Sequence, residues 1–531
     1  MRHWPLLIGL TVYCLLVYPR LDNFPPVNID DAYQMGPAHG LFTRGVWGSA
    51  PLGGAATLWR GSHPDEKMYL HPPLYFLLVA ASLKLFGWGV LQARLVSTLF
   101  GLGSVAVTYA LTWILVRSRT AAVTAALLLT TQPVFVHISR QARPESALTF
   151  FTVLAVYLFV RYHQETGATW ALLTGFASGA ALMSHYNGVF GLIAVLVLFL
   201  IEERPVGHHL NSSGKPLTRL LPHVLKQYLV SVFKSKRRGL FFLGIFLISL
   251  PYGVYVLLDY DSGFYNFKTQ ISVIGRAGTF NTLWEFVKAE PTRYNLFFHD
   301  YRFAPGSIFW LKCIYVCVLA FALFRRKSQY GTLLIVLGIH LLLLVYPSPN
   351  KTPVYLGAVL PYLTTLISLA LVDLKEMPKL SKPYTATCFY VLATLLVLTL
   401  LYWNGRVWWS SYNKYRDCDF EDTVAQIRAI IPRDTKSIMG RYDFWIGLND
   451  YEFYRYGFRT FDDIAAIRPE IFIHNDLLMH LPASAYLSSA ELKRQLDSYF
   501  REHAEEIGRV QGHAQIYCFC GDLRIYRVEW E

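Results

Sequence analysis

The sequence predicts a polytopic all-α membrane protein of about eleven transmembrane helices, with a small extracytoplasmic α/β domain at its C-terminal end. Three observations predict it. Apolar runs of bilayer-spanning length, about 20 residues each, recur along most of the 531 residues. The chain is 53% hydrophobic but only 16% charged, against about a quarter charged in ordinary soluble domains. Its basic residues gather in short loops between the apolar runs. Lipid offers no partner to an open backbone group, and these runs are too long for barrel strands, so they must be helices. The net charge of +13 therefore reflects the bias of cytoplasmic loops and not nucleic-acid binding.

The expected spans are 4–20, 91–116, 121–138, 146–161, 170–186, 187–201, 240–258, 306–324, 330–346, 354–373 and 384–402. The run 4–20 has the look of a signal peptide but lacks a small-residue cleavage site, so it is read as a span. The block 170–201 is divided at Ser184-His185-Tyr186-Asn187-Gly188, a polar patch with a turn-forming Asn-Gly. Lys234, Lys236, Arg237 and Arg238, the Arg117/Arg119 pair, Arg325/Arg326/Lys327 and the stretch Lys375–Lys382 all become cytoplasmic if the N-terminus is cytoplasmic. That parity requires the short apolar helix at 72–86 to lie at the outer surface, because a crossing there would turn the basic loops outward.

Four outer segments follow, 21–90, 139–145, 259–305 and 347–353, and the terminal domain lies on their side. Residues 1–402 form the membrane domain and 403–531 the soluble one. In the latter, Glu421–Ile431 and Ser489–Ala504 read as helices, and Gln515–Phe519 and Leu523–Val528 as strands. Cys14, Cys313, Cys317 and Cys388 lie in apolar runs as packing residues. Cys418, Cys518 and Cys520 lie in the polar region, where an oxidising compartment would pair two of them.

The polar motifs collect on the outer face. Asn28-Ile29-Asp30-Asp31-Ala32-Tyr33 follows the first span. Aspartates there cap a helix, or one of them serves as a general base or holds a cation. Tyr69-Leu70-His71-Pro72-Pro73-Leu74-Tyr75 opens the short helix. His71 at that start is either an interfacial polar residue or an anion contact. Ser139-Arg140-Gln141-Ala142-Arg143-Pro144-Glu145 is a tight charged turn. The aromatic-rich segment 259–305, ending in Tyr294-Asn295-Leu296-Phe297-Phe298-His299-Asp300-Tyr301-Arg302, is long enough for a lid, although aromatics are ordinary at interfaces. Lys351-Thr352-Pro353-Val354-Tyr355 puts a lysine on the outside, against the positive-inside rule, which a phosphate partner would explain. Walker, Rossmann, HExxH and clustered Cys/His metal patterns are absent from the sequence.

Taken in order, these motifs resemble the GT-C membrane glycosyltransferases, in the branch of the protein O-mannosyltransferases and the bacterial lipid A aminoarabinose transferase. The resemblance covers residues 1–402 and rests on Asp30, Asp31 and Ala38, on His71-Pro72-Pro73-Leu74 with Arg94, on Arg143-Pro144-Glu145, and on Lys351, Tyr355 and Pro361. It implies transfer of one sugar, with inversion, from a polyprenyl-phosphate donor to an extracytoplasmic acceptor (protein, lipid or cell-envelope glycan). It further implies Asp30 and Asp31 as the catalytic carboxylates, with Asp30 as base or acceptor-orienting group. His71, Lys351, Tyr355 and Arg94 would bind the donor phosphate, and Arg143, Glu145 and His299 are cavity-lining candidates.

There are departures. Leu70 replaces a glutamate that helps hold a metal in the aminoarabinose transferase, and Tyr33 stands where that enzyme has a phosphate-binding arginine. No metal ligand is therefore assigned, a divalent cation stays open, and lipid A as acceptor is not supported. The bacterial look of the resemblance implies an inner membrane with the site facing the periplasm. The competing class is a transporter or flippase of lipid-linked sugars. It calls for ionisable residues near mid-span or paired broken helices, and these spans carry few central charges.

Overall fold

A helix stands at each expected span. The computed structural model describes residues 4–53, 62–165, 167–202, 236–258, 263–273, 283–298, 309–325, 328–345, 351–375, 383–415, 419–455, 460–474, 489–516 and 519–530. Helix α1 (Leu6–Val17) is followed by α2 (Ile29–Arg44), α3 (Pro73–Phe86) and the long α4 (Val90–Val116). Then come α5 (Arg119–Thr130), α6 (Pro133–Arg140), α7 (Pro144–Glu165), α8 (Ala168–Ser184), α9 (Gly188–Glu202) and α10 (Lys236–Leu257). Two helices of the second outer segment, α11 (Tyr265–Val273) and α12 (Leu283–Phe298), precede α13 (Phe309–Arg325) and α14 (Ser328–Leu344). A 3₁₀ segment, Pro353–Val359, leads into α15 (Leu360–Lys375), and α16 (Pro383–Tyr415) completes the bundle. Among the described helices, four are long and apolar enough to cross a membrane, or five if a bent pair counts as one span. Shorter apolar helices occupy the other positions.

The expected single span 121–138 is two helices. Gln132 is extended, Pro133 opens the second helix, and the chain bends by 64° between α5 and α6. Proline has no N–H to continue the ladder, which fixes the break. The split at 184–188 falls where the polar patch predicts it, since α8 ends on an extended His185 and α9 restarts at Gly188. Helix α3, about 21 Å long, is shorter than the ~30 Å hydrocarbon core. Its far end stays with the terminal domain, because Trp88 Nε1 donates to the Ile446 carbonyl at 2.9 Å.

Helices α8 and α10 touch backbone to backbone. A Cβ placed on Gly175 would lie 2.0 Å from the Phe241 carbonyl oxygen, and one on Gly244 would lie 2.4 Å from that of Leu172. With Gly179 one turn on, this is the small-residue seam that lets membrane helices approach closely. Gly175→Leu is therefore expected to force α8 and α10 apart, costing about 1–3 kcal/mol or more. The loss of a monodisperse peak in detergent size-exclusion chromatography reads it out.

Helix α16 runs on as far as Tyr415, past residue 402, and the next helix is capped by Asp419. The terminal domain holds α17 (Phe420–Ile430), β1 (Ser437–Gly440), β2 (Glu452–Arg455), α18 (Phe461–Ile467), β3 (Ile471–His474), α19 (Ser489–His503), β4 (Ala504–Ile516) and β5 (Phe519–Val528). The sheet order is β2-β1-β3-β5-β4, with β1 parallel to β2 and β3, and β5 antiparallel to β3 and β4. The strand expected at 515–519 straddles a hairpin instead, with Ile516 pairing to Phe519 across it. Cys418 and Cys518 lie outside the described residues.

One apolar core joins this domain to the membrane half. Val27, Ala32, Met35 and Ala38, with Tyr75 and Val79 of α3, pack in the same cluster as Phe420, Ile427, Tyr442, Phe444 and Trp445. Polar ties flank it. Asn23 Nδ2 donates to Asp419 Oδ2 at 2.7 Å, and the Asn23 side-chain oxygen accepts from the Phe420 N–H at 3.2 Å. Arg455 Nη1 donates to the Tyr33 hydroxyl, with its guanidinium 5.2 Å from the Tyr33 ring centre. The terminal domain is thus a fixed cap on α2.

Candidate active site

The two adjacent carboxylates of α2 do different things. Asn28 caps the helix, its Oδ1 accepting from the Asp30 N–H at 2.8 Å, and Asp31 Oδ2 accepts in return from the Asn28 N–H at 3.1 Å. Asp31 is fully buried. Arg94 Nε donates to its Oδ1 at 3.0 Å and Nη2 to its Oδ2 at 2.7 Å, while the Ala142 N–H adds a bond of 3.0 Å. Arg94 is equally buried, and its Nη1 donates to the carbonyls of Leu21 at 3.0 Å and Pro25 at 2.8 Å. In this structure Asp31 caps the helix and is the counter-ion of Arg94, and Arg94 holds the carbonyls of the loop after α1. A buried charge persists only when paired and hydrogen-bonded, and these two meet that need in each other.

Asp30 lies one residue earlier, so its side chain points about 100° away around the helix. Its side chain is 38% exposed and its Oδ2 meets Arg143 Nη1 at 2.5 Å. Arg143 bridges onward to Glu145, with Nη2–Oε1 at 2.7 Å and Nε–Oε2 at 3.1 Å. Burial disfavours the charge on Arg143, but the carboxylates of Asp30 and Glu145 outweigh it and hold its pKa well above the ordinary value. The turn 139–145 therefore delivers a permanent cation beside the one partly open carboxylate of α2. Its other arginine, Arg140, is a brace, donating to the carbonyls of Leu16, Pro19 and Phe24.

Beyond Arg143, three rings form a row. His71 and His185 are 5.3 Å apart between centres, and His185 and Tyr355 are 5.6 Å apart. Tyr355 lies within electrostatic reach of Arg143, and His185 within reach of Glu145. His71 and Tyr355, from distant parts of the chain, are thus linked through His185. Lys351 is drawn into the protein instead. It is 4% exposed, pairs with Glu290 at 3.0 Å and donates to the Val345 carbonyl at 2.7 Å. Arg293 shares Glu290 at 2.7 Å and donates to the Thr352 carbonyl at 2.7 Å. Its guanidinium lies 5.9 Å from the Tyr355 ring centre. This buried carboxylate with two cations anchors the start of the Tyr355 segment.

The second outer segment grips the segment that carries His71. Gln270 of α11, fully buried, accepts from the Tyr69 N–H at 2.6 Å and donates to the Lys67 carbonyl at 2.7 Å. Sequence reasoning missed Gln270, Glu290, Arg293 and the place of His185 beside His71 and Tyr355. The only local signals were the Glu290/Arg293 spacing of three on a helix and the polar patch at 184–188. His299 lies outside the described residues. Among the described residues, no group of three or more His, Cys, Asp or Glu is placed to hold a metal.

Residues 70–224 match the family model for dolichyl-phosphate-mannose-protein mannosyltransferases. Mouse protein O-mannosyl-transferase 1 is 29% identical over 179 residues, and an uncharacterized protein of Aquifex aeolicus is 29% identical over 133 residues. These matches span only 22% and 27% of those relatives' own lengths. In fold, the crystal structure of ArnT from Cupriavidus metallidurans in the apo state matches with a TM-score of 0.62 at 11% identity, covering 98% of this chain and 97% of that one. The same protein bound to undecaprenyl phosphate gives 0.60 at 12% identity, with the same coverage. The archaeal oligosaccharyltransferase AglB from Archaeoglobus fulgidus gives 0.54 at 13% identity, over 88% of this chain and 68% of that one. The chain has the GT-C membrane fold, and it is similar to the O-mannosyltransferase and aminoarabinose-transferase branch.

Proposed function

We propose that this protein is a membrane glycosyltransferase that moves a single sugar from a polyprenyl-phosphate donor to a hydroxyl acceptor, with inversion, on the extracytoplasmic side of a bacterial inner membrane. The observation that carries the reading is the division of labour between Asp30 and Asp31. One carboxylate is consumed by the fold, and the other is presented, half-open, beside Arg143 and near a row of hydrogen-bonding rings. ArnT has been seen with undecaprenyl phosphate, which supports a lipid-linked donor.

In the reaction, the acceptor hydroxyl oxygen forms a bond to the anomeric carbon and its proton passes to Asp30. The bond from that carbon to the phosphate oxygen breaks, and its electron pair leaves with the polyprenyl phosphate. Asp30 contributes by general-base catalysis. Arg143 orients it, and Glu145 shares the arginine, so that Asp30 is not its only counter-ion. The growing negative charge on the phosphate calls for fixed donors, which His71 and Tyr355 supply.

The test uses the purified full chain in liposomes, with polyprenyl-phosphate sugars radiolabelled in the sugar and a cell-envelope extract as acceptor. Label is expected to move from the lipid to an extract component, with free polyprenyl phosphate as co-product. Movement of intact labelled lipid between leaflets without transfer would instead establish the flippase reading.

A further inference from the structure

We infer that His185 is a third contact of the donor phosphate, presented by the break between α8 and α9 and registered there against His71 and Tyr355. The inference rests on the glycosyltransferase reading above and adds a residue and a protonation form to it.

The turn between α8 and α9 joins two of the expected spans on the outer side, where the other polar motifs collect, so its side chains can line a site there. Here the break carries two consecutive polar side chains, and both reach the first outer segment. The Tyr186 hydroxyl donates to the Tyr69 carbonyl at 2.7 Å, two residues before His71. The His185 ring, 1% exposed, packs between the rings of His71 and Tyr355, at 5.3 Å and 5.6 Å. Tyr186 therefore fixes the height of the His71 segment, and His185 joins the two residues read as phosphate contacts into one surface.

The hydrogen bonding of His185 sets its chemistry. Its Nδ1 accepts from the Asn187 backbone N–H at 3.0 Å. An imidazole nitrogen that accepts carries no proton, so the neutral ring bears its hydrogen on Nε2. His185 is thus a neutral donor of fixed tautomer beside His71 and Tyr355. When the anomeric carbon–oxygen bond breaks, the electron pair settles on the phosphate oxygen, and a hydrogen bond from Nε2–H stabilises it without proton transfer.

Two substitutions separate this role from a structural one. In His185→Asn the amide oxygen stands near Nδ1 and keeps the bond from the Asn187 N–H, but nothing remains at the Nε2 position. In His185→Gln the longer side chain returns an N–H to that position. The readouts are binding of sugar-free undecaprenyl phosphate to the purified protein, and kcat and KM for the labelled donor. Asn is expected to weaken undecaprenyl phosphate binding about tenfold and to lower kcat by about 10²-fold. Gln is expected to recover a large part of both, with melting temperatures unchanged. If Asn binds and turns over like the wild type, or if both variants lose binding only in proportion to a fall in melting temperature, His185 is a packing residue. If the wild type neither binds undecaprenyl phosphate nor transfers sugar, the glycosyltransferase reading itself fails, and that outcome is distinct from the first two.

Discussion

Asp30→Asn is expected to lower the transfer rate by about 10²–10⁴-fold while the protein still inserts, purifies and melts as the wild type does. The size follows from the role, since an amide cannot accept the proton that the attacking hydroxyl must lose. The retained fold follows from the geometry. The Asp30 side chain is 38% exposed, so removing its charge leaves no buried group uncompensated. Arg143 keeps both of its bonds to Glu145, at 2.7 and 3.1 Å, and stays paired. The Asn28 cap contacts the Asp30 backbone N–H and not its carboxylate, so the helix start is untouched. Initial rates at saturating donor, alongside a detergent melting curve, separate the two effects. A variant that transfers at the wild-type rate would remove Asp30 from the chemistry.

The spans were legible because lipid imposes one solution, a long apolar helix, and because loop charge orients it. The break at 185–187 announced itself by five polar or turn-forming residues in an apolar block. The break at 131–133 did not, although Pro133 was in view, because the apolar window continues across it and the run was read by hydropathy rather than by its proline. Helix α16 runs to Tyr415, beyond the apolar run, since a helix that leaves the membrane need not stop where its apolarity stops. At the site, the residues alone offer Asp30 and Asp31 as a pair, and only the resemblance singles out Asp30 as the base. Which of them faces inward depends on the phase of α2 against Arg94, 63 residues away, and no local pattern encodes that. The pairing that buries Lys351 is no more encoded locally. The lysine's partner Glu290 lies 61 residues earlier, in an outer segment whose sequence fits an aromatic interface belt or a lid. The docking of the terminal domain on α2, as in the Arg455–Tyr33 pair 422 residues apart, was equally out of reach.

Arg94→Met is expected to be a folding defect and not a catalytic one, at a cost of about 3–5 kcal/mol. The substitution leaves the Asp31 carboxylate fully buried with only the N–H groups of Asn28 and Ala142, and it strips the carbonyls of Leu21 and Pro25 of their donor. Those carbonyls belong to the turn that connects α1 to α2, so the fault lands on the element that sets Asp30. Removing the charge on both sides, in Arg94→Met with Asp31→Asn, is expected to restore much of the stability. The uncompensated charge is then gone, and the amide can still accept from the Asn28 N–H. The double variant should therefore melt above Arg94→Met, and a double-mutant cycle on melting free energies should show a coupling well beyond the ~0.5 kcal/mol scatter of independent sites. If Arg94→Met instead folded normally and lost only affinity for the lipid donor, the guanidinium would have to face the phosphate. Its buried bonds to Asp31 and the two carbonyls would then be the wrong description of the resting site.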